Sequence, residues 1–177
     1  LFNIGTIDTN ITEDLKTPKK TKTMPVYLSE YEANNLLNII DFSHTVNRER
    51  DYCIYTLLLN LGLRISELLN IKFKDIHNDS IKILGKGNKE RPVYFDARTK
   101  IHLKNYLNSR TDDNPALFVS LDAPYDRLKI SGVEIRLRQL GRRLGIQKVH
   151  PHKFRRTVAT KAIDKGMPIE QVQSLLG

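Results

Sequence analysis

Apolar side chains first recur at helical spacing at Ala33, Leu36, Leu37 and Ile40, which predicts an amphipathic helix. Ser29 followed by Glu32 forms a capping box at its start. A second segment, Arg48 to Leu61, is apolar almost all round, the pattern of a helix at the centre of a core, and Gly62 ends it. A short helix from Ile65 to Asn70 follows at once, with Arg64 at the corner between the two. The period then changes from helical to alternating. Ile81, Ile83 and Gly85 alternate with Ser80, Lys82 and Leu84, and after GKGN the run ERPVYF resumes as an extended segment. That predicts a β-hairpin with a glycine-bearing turn over 85–88.

Asp96 caps a further helix to about Ser109, and residues 111–128 read as loop apart from a short buried segment at ALFV. A second capping box, Ser131 with Glu134, is expected to open a helix with Val133, Leu137, Leu140 and Leu144 on one face, closed by Gly145. Arg136, Arg138, Arg142 and Arg143 occupy its other face, either as a solvated stripe or as phosphate contacts. Pro151 suits a first helical position, so a helix is predicted from there to Lys165, with Phe154, Val158, Ala162 and Ile163 inward and Gly166 as its stop. Pro168 opens a last helix over Ile169 to Leu176. The expected fold is mainly α with a small antiparallel sheet, an α+β domain over residues 25–177.

Residues 1–24 show no such periodicity. Lys16, Lys19, Lys20 and Lys22, with two prolines and no acid between Leu15 and Val26, read as a linker: a tether along a phosphate backbone or a disordered lead-in. The whole length of 177 residues fits one ordinary domain. Cys53 is the only cysteine, which excludes a disulfide framework and suggests a reducing, cytoplasmic setting. No apolar run reaches the roughly 20 residues a membrane span needs, and the N-terminus lacks the pattern of a signal peptide, so no membrane partner is expected. The net charge of +9 and pI near 9.7 point towards nucleic acid, although a solvated lysine-rich surface gives the same totals.

Three separated segments carry polar residues that packing does not require. Arg64 sits among apolar neighbours, where an unpaired guanidinium would be costly, and Glu67 is placed to hold it; a pair that merely pins the corner is the plain alternative. The turn GKGNKERP presents Lys86, Lys89 and Arg91, as a solvated tip or as a phosphate-reaching one. In HPHKFRR, His152 and Arg155 are three apart on one helix, and a histidine in the first turn favours its neutral form. Taken together these residues describe phosphoryl transfer without metal or other cofactor. Two arginines can fork onto the non-bridging oxygens of a phosphodiester, a lysine can protonate a departing 5′-oxygen, and a histidine can manage the proton of an attacking hydroxyl. No carboxylate cluster is spaced for magnesium, and one cysteine with five scattered histidines does not suit zinc.

GLRISELLNIKFKDI, GKGNKERPVYF, HPHKFRR and GMPIEQVQSLLG, in this order, resemble the motif series of the tyrosine recombinase, or phage integrase, family over about residues 26–177. The resemblance implies that Arg64 and Arg155 are the two catalytic arginines, that Glu67 supports the first, and that Lys86 and His152 are the hairpin lysine and the histidine of the H-x-x-R box. Basic residues near these positions, Lys72, Lys74, Lys89, Arg91, Lys153 and Arg156, become candidate DNA contacts. It further implies double-stranded DNA with inverted-repeat sites as partner, a homotetramer on DNA, and site-specific recombination of a phage or transposon through a 3′-phosphotyrosyl intermediate. The family pattern continues after LLG with a histidine or tryptophan and then the tyrosine nucleophile. None of Tyr27, Tyr31, Tyr52, Tyr55, Tyr94, Tyr106 or Tyr125 falls in that motif, so this chain is expected to bind DNA without cleaving it, with residues 1 to about 15 as the end of a core-binding domain. Arg156 stands where many relatives carry histidine. Two other readings are a type IB topoisomerase, against which the compact hairpin speaks, and a DNA-binding protein with a degenerate recombinase pocket.

Overall fold

The computed structural model of the chain describes residues 26–42, 48–85 and 90–177. The expected linker over 1–24 and the hairpin residues Lys86 and Lys89 lie outside them. Seven α-helices and one two-stranded sheet are found among the described residues, in the predicted order. Helices α1 (Glu30–Asp41), α2 (Arg48–Leu61) and α3 (Ile65–Asn70) come first. The hairpin strands β1 (Ser80–Leu84) and β2 (Glu90–Tyr94) follow, and then α4 (Ala97–Ser109), α5 (Ile130–Arg143), α6 (Pro151–Asp164) and α7 (Ile169–Leu176).

Helix α2 is the axis of the core. Every residue from Arg50 to Leu58 is buried, as its all-round apolar pattern predicts, and α1, α4 and α6 pack around it. From α1 come Ala33, Leu36 and Ile40, from α4 Leu103 and Tyr106, and from α6 Phe154, whose ring stacks on Tyr55 with centroids 6.3 Å apart. The capping box on α1 is present in both directions: the Glu32 amide donates to Ser29 Oγ at 3.1 Å and the Ser29 amide to Glu32 Oε2 at 2.8 Å. The strands pair antiparallel with Ile83 opposite Arg91 and Ile81 opposite Val93, so Ile81, Ile83 and Val93 face the core. ALFV, residues 116–119, is buried within the loop after α4, with the Val119 amide donating to Tyr106 Oη at 3.1 Å.

The last three helices carry two corrections. Helix α5 starts at Ile130 on a Lys129 N-cap without a side-chain cap, so Ser131 and Glu134 lie inside the helix rather than closing a capping box. The chain is already aligned before Ser131: the Leu128 amide donates to the Phe118 carbonyl, and those of Gly132 and Val133 to that of Lys129. On α6, Phe154 and Val158 are buried as expected, but Ile163 is 49% exposed, because the final turn extends beyond the core.

The back of α6 is fastened to the segment that leads into α1. The buried Leu28 amide donates to Thr157 Oγ1 at 2.8 Å, and the Thr157 hydroxyl donates to the Lys153 carbonyl at 2.9 Å. At the end of α2, Gly62 adopts φ +58°; a Cβ there would lie 2.7 Å from Leu176 Cδ2 and 3.3 Å from Val158 Cβ. Glycine thus ends α2 and leaves room for α6 and α7 to close over the corner that carries Arg64.

Candidate active site

Arg64 occupies the N-cap of α3 with extended backbone, φ −67° and ψ 142°. Glu67, one turn on, reaches back to it. Oε2 accepts the Arg64 amide at 3.0 Å and Oε1 accepts Arg64 Nη1 at 2.8 Å, so the carboxylate closes the helix start and aims the guanidinium together. The other terminal nitrogen, Nη2, donates to the Gly177 carbonyl oxygen at 2.6 Å.

Arg155 approaches from the second turn of α6. Its Nη1 donates to the Gly62 carbonyl at 2.9 Å, and Nη2 donates to the carbonyls of Leu176 at 2.8 Å and Gly177 at 3.2 Å. Two guanidinium groups remote in sequence therefore meet on a single oxygen. A carbonyl oxygen between two cationic forks shows that both can donate to one oxygen acceptor at once, a geometry that oxyanions also suit.

Arg91 joins from β2. Its Nη2 donates to Glu67 Oε2 at 3.2 Å, so two guanidinium groups, Arg64 and Arg91, share one carboxylate, and with Arg155 on the oxygen beside Arg64 the three arginines exceed the one acid by two positive charges. Burial alone would raise the Glu67 carboxyl, but hydrogen bonds from the Arg64 amide and guanidinium, with the charges of Arg91 and Arg64, hold it below its ordinary range. Burial first, then the charges of Arg64 and Arg91, loosens the proton of Arg155 from its usual tight hold. Such an excess of fixed positive charge in a partly dry corner suits an anion that gains charge during a reaction.

The remaining expected residues divide. His152 is exposed on the first turn of α6, one turn before Arg155, with its ring 6.3 Å from that of His150. His150, which the sequence reading did not single out, is the α6 N-cap. Burial, and then the positive groups His152, Arg156 and Lys153, push its pKa down and favour the neutral ring. Lys72 and Lys74 are exposed along a groove of about 420 Å³ that Glu67 also lines, and Arg156 is exposed on α6. Lys153 differs from expectation. It is buried and its Nζ donates to the Gln147 carbonyl at 3.1 Å, so it braces the α5–α6 connection instead of facing a phosphate. Its position directly after His152 in the helix turns it inward, beside Phe154 and Thr157.

Arg136 leaves the basic face of α5 as well: its Nε donates to buried Asp51 Oδ2 at 2.7 Å. Arg138 and Arg142 stay exposed and, with Lys148 and His150, line a depression of about 690 Å³. Among the described residues no group of three His, Cys, Asp or Glu side chains could hold a metal, and no helix is long and apolar enough to cross a membrane.

A scan of family models matches residues 27–177 to the phage integrase family. Tyrosine recombinase XerA of Pyrococcus furiosus is 38% identical over 169 residues, covering 93% of this chain and 57% of that protein. The crystal structure of XerA recombinase superimposes with a TM-score of 0.73 at 36% identity, covering 88% of this chain and 57% of that one. XerH site-specific recombinase, solved bound to its difH substrate in a pre-cleavage complex, gives a TM-score of 0.74 at 26% identity over 88% of this chain and 47% of that one. The chain spans about half to three-fifths of the length of the curated relatives it matches.

Proposed function

Because the chain belongs to the phage integrase family of tyrosine recombinases, and forms a site-specific tyrosine recombinase-like domain, we propose that residues 25–177 supply the pocket in which DNA strands are cut and rejoined. The observation that carries this reading is the meeting of Arg64 and Arg155 on one oxygen, 2.6 and 3.2 Å from their Nη2 atoms.

In the proposed reaction a scissile phosphate takes the place of that oxygen, with the two guanidinium groups on its non-bridging oxygens. A tyrosine outside the motifs present here attacks phosphorus, giving its phenolic proton to His152. The bond from phosphorus to the 5′-oxygen breaks, and Lys86 protonates that oxygen. The products are a 3′-phosphotyrosyl link and a free 5′-hydroxyl. Attack by the 5′-hydroxyl of a partner strand reverses each transfer, so the phosphoester energy is kept and no ATP or other cofactor is required. Glu67 orients Arg64 and does not touch the phosphate. The partner is double-stranded DNA with inverted sites on which protomers assemble, as a tetramer for exchange, and Lys72, Lys74, Lys89 and Arg156 add phosphate contacts. The movement of a mobile element is the biological outcome of this reading.

The test is covalent attachment to a suicide DNA substrate by the native protein that contains these 177 residues. Arg155→Ala should lower the attachment rate on the order of a hundredfold to a thousandfold, the cost of losing one preorganised donor, while duplex binding falls only a few-fold. Arg155→Lys should not restore it, since an ammonium cannot fork onto two oxygens. Near-normal attachment by Arg155→Ala would mean that the arginine serves only to fasten α6 to Gly62.

A further inference from the structure

Arg91 is a charged residue on the inward side of a strand. Along β2, Glu90, Pro92 and Tyr94 are exposed, whereas Arg91 shares the inner face with Val93. Its stem is mostly covered, and Nε is buried without a hydrogen-bond partner among the described residues. Nη2 is committed to Glu67 Oε2, the same oxygen that accepts the Arg64 amide, and Nη1 borders Gly177, 2.9 Å from where a Cβ on that residue would lie. The carboxylate of Glu67 is thereby shared between two arginines. The consequence is electrostatic as well as mechanical. A lone Arg64–Glu67 pair is neutral as a unit, so much of the field that Arg64 offers a phosphate would be cancelled by its own support. Adding Arg91 restores one positive charge to the unit and ties the base of the hairpin to α3.

We propose that Arg91 is a positioning residue of the strand-transfer site, acting through Glu67 on Arg64 and not by contact with DNA. The proposal rests on the phosphoryl-transfer reading above. It replaces the sequence-based expectation that Arg91 meets a phosphate directly.

The experiment is a double-mutant cycle of Arg91→Gln and Glu67→Gln in the native protein, read as the rate of covalent attachment and as the salt dependence of duplex binding. Arg91→Gln alone should slow attachment on the order of tenfold to a hundredfold, the range for a group that orients a reacting one. In the Glu67→Gln background the same change should add less than about twofold, because its route of action is already gone. Arg91→Lys, which keeps the charge beside Glu67, should recover most of the rate, an outcome that a merely space-filling residue would not give. The slope of log affinity against log salt should stay at the wild-type value in each variant. Independent, multiplying losses, a slope reduced by about one, or no loss of rate with Arg91→Gln would each overturn the proposal. If Arg91→Gln does not fold, the cycle is run with Arg91→Met, which keeps the apolar stem and removes the charge, and its loss should likewise vanish in the Glu67→Gln background. Arg155→Ala runs alongside: normal attachment by that variant would remove the site reading itself, whereas a defect there with any of the three adverse Arg91 results removes only this inference.

Discussion

Two of the buried carboxylates among the described residues, Asp51 and Glu67, each hold two arginines, and they are used differently. At Asp51 on α2, Arg50 Nη2 lies 3.2 Å from Oδ1 and Arg136 Nε donates to Oδ2 at 2.7 Å. Arg50 spends its remaining reach on the Val119 carbonyl at 3.0 Å, and its side chain is only 9% exposed. At Glu67, Arg64 and Arg91 take the equivalent places, but the Arg64 side chain is 34% exposed and its free nitrogen meets Arg155 at a shared oxygen. The first cluster is covered except along Arg136 and joins α2, α5 and the buried loop. The second leaves donors and surplus charge at a surface. Pairing with a carboxylate therefore says little about role; where the remaining donors point says more.

The largest expected contrast is kinetic and concerns Arg155, whose loss should remove attachment while the fold survives. Next in size is its mirror image at Asp51. Asp51→Asn leaves two arginines without a buried anion and should cost about 3 kcal/mol, at the lower end for a broken buried pair because Arg136 is partly exposed. Urea denaturation measures this, and the attachment rate per folded molecule should be unchanged; a stability loss below about 1 kcal/mol would make the two clusters alike after all. Acid should then separate wild type from Glu67→Gln. The folded-state pKa of Glu67 lies below its ordinary 4.5, so its stabilising contribution is present above that value and is lost as pH falls through the lowered one. The stability gap between the two proteins should be full near neutrality and close on acidification below about 4.5, as followed by thermal melting. A gap that is constant with pH would show that the Glu67 charge contributes nothing to folding. The smallest effect is on α6. Arg156→Ala should lower the log–log salt slope of duplex binding by about one, while Lys153→Ala should leave the slope alone and lower stability instead.

Much of this was legible in the chain. The apolar positions of α1 and α2, Gly62, and the alternation of β1 gave the elements close to their true bounds, since each signal is local and agrees with its neighbours. The pairing of Arg64 with Glu67 was legible for the same reason: three residues on one helical turn must be neighbours. The partners of Arg136, Lys153 and Arg91 were not. Each depends on which way a face turns after tertiary packing, and a basic residue looks the same in sequence whether it meets Asp51, the Gln147 carbonyl or water. The inward position of Arg91 could have been read from its two-residue spacing from Val93, the alternation already used for β1. The early start of α5 was hidden because the hydrogen bond from Leu128 to Phe118 fixes the approach from across the loop.

The tie from Leu28 to Thr157 bears on how this protein is trimmed for study. A boundary chosen by eye at the first helical residue, Glu30, would discard Leu28, which is 1% exposed, and with it the amide that the Thr157 hydroxyl accepts. Thr157 stands two positions from Arg155 on the same helix. A shortened version cut there would open a pocket behind the very turn that places Arg155, so loss of function in it would report on the cut and not on the chemistry.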